Sequence, residues 1–219
     1  MEYKQLGLPG VWTGKSRIFQ DNRGSFQEWF LREEFNSISG IDFEVAQSNT
    51  SKSLKNVMRG IHYSVSSNGQ AKWVTCVSGS ILDVVVDLRQ DSVTFGQWVL
   101  TTLEADTGDC LYVPDGFGHG FLSLEDNSLV VYNLTSKYQP EMEFTINLFD
   151  TTLKIDWPEC NPIISQRDQK APDFLTVFST TNNTMLINSA QNGLKLLSVD
   201  IWANNSSQAY LTNFWVTVE

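Results

Sequence analysis

The chain is short of histidine, cysteine, basic charge and long apolar runs, and each shortage closes off a class of function. Its 219 residues include two histidines and three cysteines. Cys76, Cys110 and Cys160 are odd in number and far apart, with no C-x-x-C pair, which argues against a disulfide framework and a thiolate zinc site. They read as thiols in a reducing compartment. Lys and Arg number 15 against 25 Asp and Glu, a net charge of −10, so there is no basic face for the counterion release that drives nucleic-acid binding. The same charge repels an anionic ligand at long range, which local Arg and Lys would have to overcome. No apolar run approaches the roughly 18 residues of a membrane span, and Met1-Glu2-Tyr3-Lys4-Gln5 has no apolar segment of signal-peptide type. The expectation is a soluble, cytoplasmic protein that binds neither nucleic acid nor membrane.

What is present reads as β structure. From Phe19 to Trp157, short β-branched and aromatic runs are broken by Gly, Asp, Asn and Ser at roughly 8–12-residue intervals, the spacing of a sandwich or barrel. Expected strands are Ser25–Phe30, Phe43–Asn49, Val57–Tyr63, Ala71–Ser78, Ser80–Arg89, Phe95–Thr102, Gly108–Val113, Gly118–Ser123 and Ser128–Leu134. In Ile81–Arg89 one parity carries Leu82, Val84, Val86 and Leu88, predicted to face a sheet-to-sheet core. The other carries Ile81, Asp83, Val85 and Asp87, predicted to face a polar cavity. The best short helix is Leu31–Phe35. Residues 1–174 are expected to form the main domain, and residues 175–219 a C-terminal extension with strand-like pieces at Met185–Asn188, Leu194–Trp202 and Leu211–Val218.

The two histidines, His62 in Arg59-Gly60-Ile61-His62-Tyr63 and His119 in Gly116-Phe117-Gly118-His119-Gly120-Phe121, share apolar, glycine-flanked, strand-like surroundings. A neutral imidazole accepts a proton near pH 7 without a large pKa shift, so these two are the place to look for chemistry. The spacing Gly108-x5-Pro114-x-Gly116-x2-His119 matches the second box of the cupin superfamily, in which the Pro–Gly turn aims the histidine into the barrel. Metal-binding cupins add an H-x-H cluster, and with His62 alone in the first box no metal site is expected.

Further blocks are more specific: Asp21-Asn22-Arg23-Gly24-Ser25-Phe26-Gln27-Glu28, Gln47-Ser48-Asn49-Thr50-Ser51, Gln70-Ala71-Lys72-Trp73-Val74, Leu82 to Arg89, Ser92-Val93-Thr94-Phe95-Gly96, Val131-Tyr132-Asn133 and Ser165-Gln166-Arg167-Asp168. In this order, over roughly residues 8–174, the chain resembles the metal-free cupin epimerases typified by dTDP-4-dehydrorhamnose 3,5-epimerase. The resemblance implies an all-β, cupin-type jelly roll (a double-stranded β-helix) with few short helices. It also implies an isomerase, needing no cofactor, that inverts C3 and C5 of a dTDP-linked 4-keto-6-deoxyhexose in deoxysugar biosynthesis. By the same resemblance His62 is the base, Asp168 its dyad carboxylate, Tyr132 the opposing acid and Lys72 the stabiliser of the O4 enolate. Asp83 supports His119 beside them.

For the nucleotide, the resemblance puts Arg23 and Arg59 on the diphosphate, where planar guanidinium donors suit phosphate oxygens. Phe19, Phe26 and Tyr138 would sandwich the base, and Glu28, Gln47 and Asn49 would bond its polar edges. It also implies a homodimer in which an N-terminal strand crosses to the partner, so that Phe26 and Glu28 serve the neighbouring site. Two positions depart from the family pattern: Ser64–Asn68 lacks the proline common after the first box, and Arg167 stands where lysine is usual. Three alternatives stay open: inversion of C3 alone or C5 alone, a non-catalytic module that binds a sugar nucleotide, and a metal-dependent cupin. The low histidine count weighs against the last. The joint presence of His62, Lys72, Tyr132 and Asp168 weighs against mere binding, which needs no base and opposed acid.

Overall fold

The computed structural model describes residues 1–67 and 69–178, with the backbone of 202–203 and 209–210. Along the chain run β1 (Glu2–Gln5), β2 (Trp12–Lys15), β3 (Ile18–Asp21), β4 (Gly24–Gln27), helix α1 (Arg32–Ser39), β5 (Gln47–Ser53), β6 (Val57–Ser64) and β7 (Lys72–Ser78). They are followed by β8 (Ser80–Asp87), β9 (Trp98–Glu104), β10 (Asp109–Val113), β11 (Phe117–Ser123), β12 (Ser128–Leu134), β13 (Glu143–Thr145), β14 (Ile163–Ile164) and α2 (Gln166–Gln169). The chain divides into two compact units, Met1–Asp173 and Phe174–Glu219. In the second, α3 (Phe174–Phe178) brings its two phenylalanine rings within 5.2 Å, and Trp202–Ala203 pairs antiparallel with Ala209–Tyr210. The strand pieces expected at 185–188 and 211–218, and most of that at 194–202, lie outside the described residues.

The first unit is a cupin-type jelly roll. One sheet has the order β1-β2-β10-β7-β12-β5, and the facing one β13-β6-β11-β8-β9 with β14 added parallel to β6. Between them lie Val74, Cys76, Leu111, Val113 and Val130 from the first sheet, and Ile81, Val85, Phe117 and Phe121 from the second. A second core covers the outer face of the first sheet. There α1 drives Phe35 against Trp73, with ring centroids 5.0 Å apart, and Phe43, Cys110 and Tyr112 join them.

Three expectations are corrected. The apolar parity of β8 is not the inter-sheet one, since Ile81 and Val85 point inward with Asp83 and Asp87. Val84 and Val86 face outward and are nevertheless fully buried, because the chain after β13 crosses this side: Trp98, paired with Val86, donates its Nε1 proton to Leu153 O at 2.8 Å. When both faces are buried, alternation cannot tell inside from outside. The strand expected at Phe43–Asn49 lies at Gln47–Ser53, because Phe43 is taken by the outer core. The helix spans Arg32–Ser39, ending on Gly40 at φ 73°, where the expected Leu31–Phe35 captures only its start.

The end of β8 carries a polar clamp. Asp87, fully buried, accepts Arg89 bidentately at 2.9 and 2.7 Å and the hydroxyls of Ser92 and Thr94 at 2.6 Å each, while Arg89 stacks 4.3 Å over Phe117. Burial alone would raise the Asp87 pKa; the Arg89, Ser92 and Thr94 bonds outweigh it and hold the carboxyl well below the usual range. A depressed carboxylate stabilises the fold above its unfolded pKa, and that contribution is lost as pH falls through the folded value. Asp87→Ala is therefore expected to cost about 3 kcal/mol at pH 7, with Arg89 left unpaired. In denaturant melts the gap to wild type should narrow below about pH 4. A gap of equal size at pH 7 and pH 2 would mean that packing, not charge, sets the cost.

Candidate active site

Arg59 and His62 are three residues apart, so a regular strand would send them to opposite faces. A bulge between them restores a common face: His62 pairs with His119 and Arg59 with Phe121, so two residues of β6, Gly60 and Ile61, oppose the single Gly120 of β11. Only glycine serves at position 60, where φ is 125° and a Cβ would lie 2.5 Å from Gly120 Cα. At Gly120 a Cβ would lie 2.8 Å from Arg59 O. The glycines flanking both histidines are thus the means by which β6 and β11 approach.

On this wall His62 Nε2 lies 2.7 Å from Asp168 Oδ1. The pair is 106 residues apart in sequence and is assembled by β14, which pairs with Val57 and Met58 and delivers α2 beside β6. Ser165 caps α2 by accepting the Asp168 backbone N–H at 3.1 Å. Burial pushes Asp168 up, but the His62 hydrogen bond and charge, with Ser165 and the Gly60 N–H, hold it below its ordinary value. Asp168 is thus an ionised acceptor, which places the imidazole proton on Nε2 and leaves Nδ1 with a free lone pair. Next on the wall, His119 Nε2 lies 2.9 Å from Asp83 Oδ2. The other oxygen, Asp83 Oδ1, is buried without a hydrogen-bond partner among the described residues, and burial raises this carboxyl above its ordinary range.

The first sheet supplies the opposite wall. β12 carries Tyr132, which packs against the inter-sheet core and faces Asn49 of β5 on one side and Val74 of β7 on the other. Burial raises the phenol pKa, partly offset by the Arg59 charge and the Asn49 amide. Lys72 opens β7, two residues from Val74 on the same face, with only 7% of its surface exposed. Burial lowers its pKa, and the negative charges of Glu143 and Asp83 pull the other way. Arg59 is steadied by Ser53 Oγ and Lys52 O, each at 3.2 Å. Gln47 donates to Asn49 Oδ1 and accepts the Tyr138 backbone N–H, both at 2.9 Å, so these three form one rim group.

The structure therefore gathers His62, Asp168, Arg59, His119, Asp83, Lys72 and Tyr132 between the sheets and sets Gln47, Asn49 and Tyr138 at their edge. Phe19, Arg23 and Phe26 lie elsewhere, on the β3–β4 hairpin, which among the described residues pairs only with itself and lines a surface pocket. Phe19 is 44% and Phe26 64% exposed, and Arg23 is held by Asp21 at 2.5 Å. Glu28 follows the hairpin, exposed. Glu143, absent from the residues expected from sequence, also borders the site. It sits on β13 opposite Ser64, two residues along β6 from His62, and its charge reaches both Lys72 and Tyr132. A three-residue strand after a Pro140–Met142 turn gives no alternation by which to find it. Among the described residues no three His, Cys, Asp or Glu side chains converge as a metal site would require, and no helix is long and apolar enough to cross a membrane.

Residues 5–176 match the family model of dTDP-4-dehydrorhamnose 3,5-epimerase. The chain is similar to the dTDP-4-dehydrorhamnose 3,5-epimerase of Mycobacterium tuberculosis, with 43% identity over 177 residues, 80% of this chain and 88% of that protein. It is similar to the dTDP-4-dehydro-6-deoxyglucose 3-epimerase of Streptomyces bikiniensis, with 42% identity over 172 residues, 78% and 88% of the two chains. Among solved structures, the Legionella pneumophila dTDP-6-deoxy-D-glucose-3,5-epimerase in complex with dTDP-4-keto-L-rhamnose superposes with a TM-score of 0.77 at 35% identity, covering 81% of this chain and 94% of that one.

Proposed function

The chain belongs to the dTDP-4-dehydrorhamnose 3,5-epimerase family, and from that membership we propose that it inverts C3 and C5 of a dTDP-4-keto-6-deoxyhexose by proton transfer between its two facing sheets. The C4 carbonyl acidifies the hydrogens on both neighbouring carbons. Inversion then needs a base on one face of the sugar, an acid on the other and a positive group at O4. The observation that carries the reading is that His62 and Tyr132 project from opposite walls, with Lys72 on the wall of Tyr132.

His62 Nδ1 accepts the proton, and the ionised Asp168 across Nε2 stabilises the imidazolium that forms. Lys72 bears the charge that develops on O4, and Tyr132, whose raised pKa keeps it protonated, returns a proton from the other face. His119 with Asp83 supports the sugar beside Lys72. Arg59 holds the diphosphate, Gln47 and Asn49 take polar edges of the base, and Tyr138 stacks on it. Phe19, Arg23, Phe26 and Glu28, on or just after the detached hairpin, act across a homodimer in which this N-terminal element is exchanged, Arg23 bringing a second guanidinium to the diphosphate, which accounts for exposed aromatic rings on an element outside both sheets. A cytoplasmic setting accords with three free thiols.

Relatives at nearly equal identity act at two centres or at C3 alone, so the test must read both. Incubation with dTDP-4-keto-6-deoxyglucose in heavy water, followed by NMR, is expected to show deuterium at C3 and at C5. Label at C3 only would make this a 3-epimerase. Label at neither, with the nucleotide sugar still bound, would reduce the protein to a binding module.

A further inference from the structure

Gln70 stands two residues before Lys72, is 5% exposed and has no assigned part in the chemistry above. Its side-chain Nε2 donates to Glu143 Oε1 at 2.9 Å, and its backbone N–H donates to Asp115 Oδ1 at 2.7 Å. Asp115 belongs to the Pro114-Asp115-Gly116 turn that launches β11 and His119. One residue thus ties together the entry to β7, the turn before β11 and the side chain of β13. Glu143 is the only titratable group whose charge reaches both the buried ammonium of Lys72 and the phenol of Tyr132 in the described site.

We propose that Gln70 is a positioning residue for the epimerase reaction, holding the Glu143 carboxylate aimed at Lys72 and Tyr132 so that one fixed negative charge serves both groups. Both effects have the same sign. A carboxylate near an ammonium favours its protonated form, opposing the burial that would strip Lys72 of its proton, and near a phenol it disfavours the phenolate. An enolate stabiliser must be charged and a general acid must carry its proton, so the same anion readies both. A glutamine amide suits this task because it donates to an ionised carboxylate and does not itself titrate. The other groups facing this cluster are Asp83 of β8, His119 of β11, Arg59 and His62 of β6, and Asp168 and Arg167 of α2; Arg167 reaches the Glu143 backbone O at 2.8 Å. Asp83 is engaged by His119 and Asp168 by His62, which leaves Glu143 as the anion under Gln70's control.

The inference rests on Lys72 acting as the enolate stabiliser, and the test separates the two claims. The pH profile of kcat is measured for wild type, Gln70→Met, Glu143→Gln, the double variant and Lys72→Met. Gln70→Met is expected to lower kcat roughly 10- to 100-fold with KM little changed, the size of effect that a misplaced catalytic group produces. Its alkaline limb should move to lower pH, because Lys72 is left to its burial. Glu143→Gln should move the limb the same way, and the double variant should be no slower than Glu143→Gln alone, since the two act as a unit. Penalties that multiply, or an alkaline limb unmoved in Glu143→Gln, would overturn the proposal, and the second criterion holds even if Gln70→Met fails to fold. An inactive Lys72→Met beside unshifted Gln70 and Glu143 variants would remove this inference alone. A fully active Lys72→Met would remove the reading beneath it.

Discussion

His62→Asn is expected to abolish deuterium exchange at both C3 and C5 while leaving a folded protein that still binds dTDP. The imidazole side chain is 36% exposed, so its replacement removes little buried surface, whereas Asp168, at 4%, is held by Ser165 as well as by the ring. The kinetic loss is that of a general base, roughly 10²–10⁴-fold. Asp168→Ala should cost less, because it removes the group that fixes the tautomer and steadies the imidazolium but leaves the base in place. The order of the two variants is informative: if Asp168→Ala were the slower, orientation of the ring would dominate over its basicity. Exchange at near wild-type rate in folded His62→Asn would remove His62 as the proton acceptor altogether.

β12 is legible to the residue because Ser128–Leu134 is a largely apolar run centred on Val130, Val131 and Tyr132 and bounded by turn residues, and β6, β7 and β11 to within a residue at either end. β1 and β2 are not, since Glu2–Gln5 and Trp12–Lys15 are short and largely polar, with β1 at the sheet edge where no apolar face is demanded. The same holds for Gln47–Ser53, whose inward residues are polar because they line the site and not the core. Residue spacing alone would have separated Arg59 from His62, and only the bulge at Gly60 reunites them. The His62–Asp168 pairing spans too much chain to be read from local pattern; it came from the order of the motif blocks. Glu143 and Gln70 escaped because neither stands in a patterned strand, although Gln70 was visible as the start of the Gln70–Val74 block. In the proposed homodimer the β3–β4 residues would serve a second copy of the chain, which no single-chain pattern encodes.

Lys72→Met is expected to produce the other large loss, through charge alone. Methionine keeps the length and apolar stem of lysine, so the 7% exposed position at the start of β7 stays filled. What disappears is a positive group aimed at an oxygen that is neutral in the ketone and negative in the enolate. An interaction made chiefly in the transition state lowers kcat and kcat/KM together and leaves KM nearly unchanged. By analogy with oxyanion donors the cost is about 3–4 kcal/mol, or roughly 10²–10³-fold in rate. Wild type should also show an alkaline limb below the ordinary lysine range, since burial lowers the Lys72 pKa against the pull of Glu143 and Asp83, and activity falls as pH rises through that value. Lys72→Met should lack the limb. If the variant instead raised KM and left kcat intact, Lys72 would be a ground-state contact to the sugar, and the enolate charge would have to be met from the other wall, where His119 is held by Asp83 at 2.9 Å. The ratio of the two kinetic effects therefore decides which sheet carries the electrostatic part of the reaction.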